Sequence, residues 1–221
     1  MSFDHHRRRT VNALAALALL PATRPAFAQG QPPAAPFRVV QPPQPVDGAK
    51  IEVLEFFQYG CPHCYSFSPD LESWRKKQTD IDYKRVHINW DNTTLPHTKL
   101  YYALEQMGRV ADVHDKVFAA IHTNKKKLLD TNEIADLMAA NSIDRKKWLD
   151  SFNSFSVATN ANRAVQSWRA YRIDGTPAVA VDGKFITAPS MVGSREAALT
   201  VMDSLVKRAR TERTSAPSAK K

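Results

Sequence analysis

The sequence predicts an α/β domain interrupted by a helical insertion. Three observations predict this fold class: an almost continuously apolar strand at 51–57, an exclusively helical pattern between 95 and 172, and a β-hairpin signal at 178–187. A strand–helix–strand unit is thus interrupted by further helices. The 221 residues are 43% hydrophobic and 24% charged, a globular composition that excludes disorder along the whole chain.

The first thirty residues have the features of an export signal. Three arginines at 7–9 precede an apolar stretch at 11–20, and a small-x-small cleavage site at 26–28 precedes Gln29. The apolar stretch has about ten residues, whereas a membrane span needs about 20, so we expect no transmembrane anchor. We predict a signal peptide over 1–28 and favour the general secretory route over the twin-arginine route.

The charge pattern does not indicate a nucleic-acid partner. The chain carries a formal charge of +9, and its basic clusters at 75–77, 125–127 and 145–147 fall mostly at predicted helix ends, where cations complement the helix dipole. No aromatic residues interleave with them, and no recognition motif accompanies them. The seven glycines are isolated from one another, which excludes glycine-rich nucleotide loops and the hydrolase nucleophile elbow.

The mature chain begins with a proline-rich leader and then a strand. Six prolines lie within 29–45, a composition that stays extended, although 37–40 is a candidate edge strand. Residues 51–57 are β-branched, aromatic and nearly all apolar, which is typical of a central strand covered on both faces. Gly60 ends this strand.

Beyond Gly60, a helix and a second strand precede the helical region. Apolar residues recur at helical spacing over 65–78, and residues 81–90 alternate imperfectly between apolar and polar, which predicts a strand. The amphipathic stretches of the helical region are 97–107, 110–124, 132–141, 145–153 and 157–172.

The end of the chain returns to strands. Residues 178–181 and 184–187 flank Asp182-Gly183, a dipeptide that supplies the positive φ angles of a tight hairpin turn. A last helix is predicted over about 194–210. The predicted segments are a signal peptide (1–28), a proline-rich leader (29–45), a sheet-containing domain (46–92 and 174–210), an inserted helical domain (93–173) and a disordered tail (211–221).

The only two cysteines, Cys61 and Cys64, lie three residues apart at a predicted helix start. This spacing puts Cys61 beside the free N–H groups and the positive dipole end, with Cys64 a turn inside the helix. We expect Cys61 to be a thiolate with a lowered pKa and Cys64 to be buried. Pro62 loses no useful donor in the first turn, and His63 adds a side chain that favours negative charge on the sulfur.

Redox chemistry is the favoured function for this pair. A stabilised thiolate stabilises the reduced form and raises the reduction potential, so the disulfide is a donor rather than a structural bridge. The alternatives are a static bridge, a c-type haem attachment, which would need His rather than Tyr65 after the second cysteine, and a metal site. We expect no metal and no cofactor other than the redox-active disulfide, because the candidate ligands lack ligand-like spacing: His87, His97, His114 and His122.

Two further positions are candidates for the site. Glu55 lies within an apolar strand, where an ionised carboxylate is costly, so it is a candidate acid–base group for the cysteines. The alternative is a wet sheet edge or an ion pair with Arg85. Thr176-Pro177 lies between a helix end and a strand, and an X-Pro bond is the only common place for a cis peptide. A cis bond there would expose backbone beside the disulfide, whereas the alternative is an ordinary trans proline.

Four segments together resemble the DsbA family of periplasmic thiol:disulfide interchange proteins. They are Val-Leu-Glu-Phe-Phe at 53–57, Cys-Pro-His-Cys-Tyr at 61–65, Gly-Thr-Pro-Ala at 175–178 and Asp-Gly-Lys-Phe at 182–185. The resemblance covers about residues 38–207, including the helical insertion. It implies a thioredoxin-like fold with an inserted helical domain.

The resemblance also implies roles for individual residues. Cys61 would be the nucleophile of the mixed disulfide and Cys64 the resolving thiol. The other residues that the resemblance implicates are His63 as chief stabiliser of the thiolate, Glu55 as the buried acid, Pro177 as a cis-proline that pairs with substrate backbone, Thr176 beside it, and Arg85 where relatives can carry lysine.

The implied activity is that of a periplasmic dithiol oxidase, and we expect a monomer. Its Cys61–Cys64 disulfide would pass to unfolded, newly exported proteins, and a quinone-linked membrane oxidase of the DsbB type would restore it. The alternatives are a disulfide isomerase or reductase of the same fold and a non-enzymatic chaperone for metal or client proteins. Isomerases of this fold usually carry a dimerisation domain, and no residues are left over to build one.

Overall fold

The computed structural model describes residues 35–215, and within them it contains one sheet surrounded by helices. The strands are β1 (Arg38–Val39), β2 (Ile51–Phe57), β3 (Ile81–His87), β4 (Ala178–Val181) and β5 (Phe185–Thr187). The α-helices are α1 (Pro62–Lys76), α2 (Leu95–Gln106), α3 (Val110–His122), α4 (Thr131–Ala139), α5 (Arg145–Phe152), α6 (Phe155–Ala170), α7 (Pro189–Val192) and α8 (Arg195–Ser215), and a 3-10 turn at Asn92–Thr94 precedes α2.

The five strands have the order β1-β5-β4-β2-β3. Strand β2 runs parallel to β3 and antiparallel to β4, so it is central, as predicted. All seven of its residues are buried. Ile51 and Val53 pack with α1 and α8, whereas Leu54 and Phe56 pack with the helices of the insertion. This two-sided cover explains why the strand lacks the alternation of a half-exposed one.

The helices α2 to α6 lie between β3 and β4 in the chain, at the positions that the apolar periodicity predicts. They share one apolar cluster with the sheet, in which Phe57 of β2 meets Tyr101 of α2 and Phe118 of α3. The insertion therefore packs directly against the strand that leads to the cysteine pair.

The predicted leader is partly built into the sheet. Strand β1 pairs with β5 at the sheet edge, as the candidate strand at 37–40 suggests. Val40 donates a backbone hydrogen bond to Lys184 (2.7 Å), and Gln44 donates one to Gly183 (2.9 Å). A Cβ atom at Gly183 would come within 2.1 Å of the Gln44 oxygen, so this contact needs glycine. The leader thus closes over the β4–β5 hairpin before the first long strand begins.

The last helix continues beyond its predicted end. Helix α8 reaches Ser215, so the expectation of disorder over 211–221 is wrong for its first five residues. The reason is electrostatic: Arg213 pairs with the buried carboxylate of Asp182, and Glu212 contacts Lys184 at 3.2 Å. Both partners lie on the hairpin, which local periodicity does not reveal. The predicted signal peptide and residues 216–221 lie outside the described residues.

One smaller difference concerns a strand near the cysteines. Helix α1 begins at Pro62 with Cys61 as its N-cap, as the cysteine pair predicts. Strand β3 ends at His87 rather than near Trp90, although Ile88 still donates a hydrogen bond to Phe57 (2.8 Å). Within residues 35–215, no helix has both the length and the apolar composition that crossing a membrane requires.

Candidate active site

Cys61 occupies the N-cap position of α1, directly after a turn that closes β2. The turn is fixed by a hydrogen bond from the Cys61 nitrogen to the Gln58 carbonyl (3.2 Å). The Cys61 Sγ atom accepts a hydrogen bond from the backbone nitrogen of Cys64 (3.3 Å), in the way that polar side chains cap helices. Pro62 is the first residue of the helix, where its missing N–H costs nothing. Both cysteines are free thiols in this structure.

The surroundings of Cys61 favour its thiolate. A hydrogen bond from the Cys64 thiol contributes most to lowering the pKa of Cys61, which is about 5. Partial burial opposes this effect. The Thr176 side chain and the backbone N–H groups of Cys64 and His63 lower the pKa further. Cys64 is completely buried, and burial raises the pKa of its thiol far above the usual range. The two sulfurs therefore differ as the helix position predicts: one is a stable anion, the other a neutral thiol.

His63 contributes through its backbone more directly than through its ring. Its N–H group is among the donors that lower the pKa of Cys61. Its imidazole is exposed and makes no hydrogen bond to another described residue. That ring lines a surface cavity beside the cysteine pair. Stabilisation of the thiolate by the imidazole itself stays a prediction.

The loop before β4 lies next to the nucleophile. The Thr176–Pro177 peptide bond is cis, and the Cys61 Sγ atom lies 3.4 Å from the Thr176 carbonyl oxygen. A cavity of about 570 Å³ opens beside this contact. Its lining includes His63, Ser66, Thr176, Pro177, Ser194 and Arg195.

Glu55 lies inside the sheet, with only 1% of its surface exposed. Its Oε2 atom accepts hydrogen bonds from the Arg85 Nε atom (2.8 Å) and from the Tyr83 hydroxyl. The ion pair with Arg85, which was the alternative interpretation of Glu55, is thus present. The Oε1 atom of Glu55 is buried and has no hydrogen-bond partner among the described residues. The two carboxylate oxygens of Glu55 therefore have different surroundings.

Sequence reasoning did not identify two residues of this buried cluster. Tyr83 shares one face of β3 with Arg85, since residues two apart in a strand point the same way. Glu72 of α1 accepts a hydrogen bond from the Arg85 Nη2 atom (3.2 Å). The polar residues of β3 were a signal for such a cluster. Only the parallel register, in which Glu55 lies opposite Arg85, reveals the partner.

Comparisons with known proteins agree with this arrangement. Residues 52–198 match the family described as the DSBA-like thioredoxin domain. A thiol:disulfide interchange protein DsbA from Burkholderia cepacia is 44% identical over 183 residues, which cover 79% of this chain and 86% of that protein. Its counterpart in Bordetella parapertussis is 44% identical over 202 residues, 90% of this chain and 93% of that one.

Solved structures give the same result in three dimensions. The crystal structure of DsbA from Pseudomonas aeruginosa superposes with a TM-score of 0.78 at 34% identity and covers 81% of this chain and 94% of that one. The structure of reduced DsbA1 from Neisseria meningitidis superposes with a TM-score of 0.74 at 28% identity, covering 85% and 100%. With its cysteine pair at the start of α1, the chain belongs to the DSBA-like thioredoxin family and is a thiol:disulfide oxidoreductase.

Proposed function

We propose that the protein is a dithiol oxidase that donates its Cys61–Cys64 disulfide to exported proteins in the periplasm. The observation that carries this proposal is the place of Cys61 at the N-cap of α1, where its Sγ atom accepts a hydrogen bond from the Cys64 nitrogen (3.3 Å). Hydrogen bonding, from the Cys64 thiol above all, lowers the pKa of Cys61 to about 5. Because this bonding stabilises the thiolate, it stabilises the reduced protein and makes its disulfide a stronger oxidant.

The exchange has two steps. A substrate thiolate attacks the Cys61 sulfur of the disulfide, the Cys61–Cys64 bond breaks, and the electron pair leaves on Cys64. A second substrate thiolate then attacks the substrate sulfur of the mixed disulfide and releases Cys61 as a thiolate. Two electrons pass from the substrate dithiol to the protein, and the substrate gains one disulfide.

The buried position of Cys64 gives Glu55 its proposed role. A thiolate formed on Cys64 is strongly disfavoured, because burial raises the pKa of that thiol well above its usual range. It therefore needs a proton as it leaves. The proton comes from the attacking substrate thiol. The Oε1 atom of Glu55, which is buried and has no hydrogen-bond partner among the described residues, takes up that proton and passes it to Cys64, while Arg85 and Tyr83 hold the other oxygen in place.

The remaining parts of the proposal concern partners. The cavity lined by Thr176 and Pro177 supports binding of an extended substrate segment at these two residues. An open cavity of this kind suits many unfolded chains better than one shaped ligand. We propose a DsbB-type quinone-linked membrane oxidase as the reoxidant, with export by the predicted signal at 1–28, and a monomeric state.

Trapping tests the mechanism directly. In a Cys64→Ala variant the resolving thiol is missing, so mixed disulfides between Cys61 and client proteins should accumulate and be visible on non-reducing gels of exported protein. A matched Cys61→Ser variant should form none and should not oxidise a dithiol peptide. If Cys64→Ala collects no thiol-sensitive adducts while remaining folded, exchange through Cys61 is refuted.

A further inference from the structure

Tyr59, two residues before Cys61, is held by three histidines. Its backbone nitrogen donates to the His87 Nε2 atom (3.1 Å), and its carbonyl accepts from the His122 Nε2 atom (2.8 Å). Its hydroxyl lies 3.0 Å from the Nδ1 atom of His114. Tyr59 is completely buried, so each of these polar groups needs its partner. The partners come from β3 and from α3 of the insertion.

Hydrogen bonding fixes the protonation of two of these rings. Since His87 accepts at Nε2 from the Tyr59 nitrogen, its proton is on Nδ1, which donates to the Thr98 hydroxyl (2.9 Å). Burial keeps this imidazole neutral by holding the pKa of His87 well below its usual value. His122 must carry a proton on Nε2 to donate to the Tyr59 carbonyl. The turn before Cys61 is therefore anchored by one acceptor and one donor.

His122 also contacts the other end of the cysteine segment. Its ring stacks on the ring of Tyr65, with centroids 4.9 Å apart and planes 7° apart. Tyr65 directly follows Cys64, and its nitrogen donates to the Cys61 carbonyl (3.1 Å). The Tyr65 hydroxyl lies 3.2 Å from the Thr123 hydroxyl, so a second contact ties the same helix turn to the end of α3.

We propose that His122 is a positioning residue that holds Tyr59 and Tyr65, on either side of the Cys61–Cys64 segment, and thereby keeps the Cys61 sulfur aligned with its hydrogen-bond donors. The alignment matters because hydrogen bonds weaken steeply when their geometry is lost. The Cys61 sulfur receives its donor from Cys64, a residue inside the segment that His122 braces. The inference rests on the proposed role of Cys61 as the nucleophile.

The test compares His122→Leu with His122→Gln. Leucine removes the donor, whereas the glutamine amide retains an N–H group at nearly the distance of Nε2. Two quantities are measured: the pH midpoint of Cys61 alkylation by iodoacetamide, and the equilibrium constant with glutathione. We expect His122→Leu to move the midpoint upward and to make the protein less oxidising by about fivefold, the usual effect of losing one hydrogen bond. In His122→Gln, the alkylation midpoint and the equilibrium constant with glutathione should both lie close to the wild-type values.

His97 provides a matched control. Its Nε2 atom bonds to the Lys127 carbonyl at the same 2.8 Å, and this carbonyl belongs to the loop before α4, not to the cysteine segment. His97→Leu should therefore lower stability without moving either quantity. If His122→Leu does not fold, the shorter amide of His122→Asn replaces it in the comparison with His122→Gln.

The outcomes separate the two proposals. A wild-type midpoint near that of an ordinary thiol would contradict the oxidase proposal itself. A low wild-type midpoint that is unchanged in His122→Leu, or that shifts equally in His97→Leu, would overturn only the positioning role. A shift that His122→Gln does not restore would also count against the hydrogen bond to Tyr59.

Discussion

The sulfur of Cys61 and the carbonyl oxygen of Thr176 lie 3.4 Å apart, although 115 residues separate them in the chain. The contact exists because β4 pairs with β2 in the register that sets Ala178 opposite Phe56. This pairing brings the loop before β4 to the same end of the sheet as the start of α1. A substrate backbone held at that loop would therefore present its sulfur to Cys61.

The low pKa of Cys61 predicts a pH-dependent difference in stability between the reduced and oxidised proteins. A thiol with a pKa of about 5 when folded and about 8.5 when unfolded stabilises the reduced fold fully above the higher value. That stabilisation declines as the pH falls below the higher value and is lost once the pH has fallen through about 5. The disulfide form has no such titration.

Denaturant unfolding of both forms at pH 4 and pH 7 measures this difference. We expect the reduced form to gain stability relative to the oxidised form between the two pH values. Cys61→Ser provides the control, since it should show no gain attributable to the thiol. An identical difference between the reduced and oxidised forms at the two pH values would contradict a stabilised thiolate.

Thr176→Val tests the contribution of the loop. The Thr176 side chain is one of the groups that lower the pKa of Cys61, so its loss should raise that pKa and make the protein less oxidising. Losing one hydrogen bond should change the equilibrium constant with glutathione by about fivefold. Thr176→Ser keeps the hydroxyl and should behave like the wild type. Equal potentials for all three proteins would exclude a role for the hydroxyl.

Glu55→Gln should lower both stability and turnover. The guanidinium of Arg85, whose side chain is only 10% exposed, would lose its bond to a charged carboxylate and retain Glu72. Breaking a buried pair of this kind costs about 3 kcal/mol of unfolding free energy. Formation of the mixed disulfide should slow in single-turnover oxidation of a dithiol peptide, because the step in which Cys64 leaves would lose its proposed proton carrier.

Glu72→Gln is the comparison for this change. Glu72 also contacts Arg85, but its side chain is 26% exposed and more easily solvated. We expect a smaller loss of stability and an unchanged rate of mixed-disulfide formation. If Glu55→Gln forms the mixed disulfide as fast as the wild type, the acid–base role of Glu55 is wrong, whatever the stability of the variant.

Arg213→Ala tests the docking of the last helix. Asp182 is almost completely buried in the β4–β5 turn, and Arg213 and Lys184 are its cationic partners. Removing one charged hydrogen bond should lower the unfolding free energy by about 1–2 kcal/mol. Lys207→Ala, at an exposed position of the same helix, should have almost no effect. Peptide oxidation should be unchanged in both, and an Arg213→Ala protein as stable as the wild type would count against this anchor.

Local sequence patterns determined most of the secondary structure. The Asp182-Gly183 pair adopts positive φ angles of 55° and 67°, as the turn chemistry predicts. The position of Cys61 at a helix N-terminus followed from the spacing of the cysteines and from Pro62. These features depend on backbone preferences within a few residues, so the local sequence is enough to predict them.

Tertiary structure alone decided which distant side chains meet. The partners of Glu55 depend on the register of β2 with β3, and a slip of one residue would turn Arg85 to the other face. The anchoring of Tyr59 requires two elements to meet at the end of β2: β3, which carries His87, and α3 of the insertion, which carries His122. The sequence around His87 and His122 does not predict these contacts with Tyr59, because they depend on long-range packing.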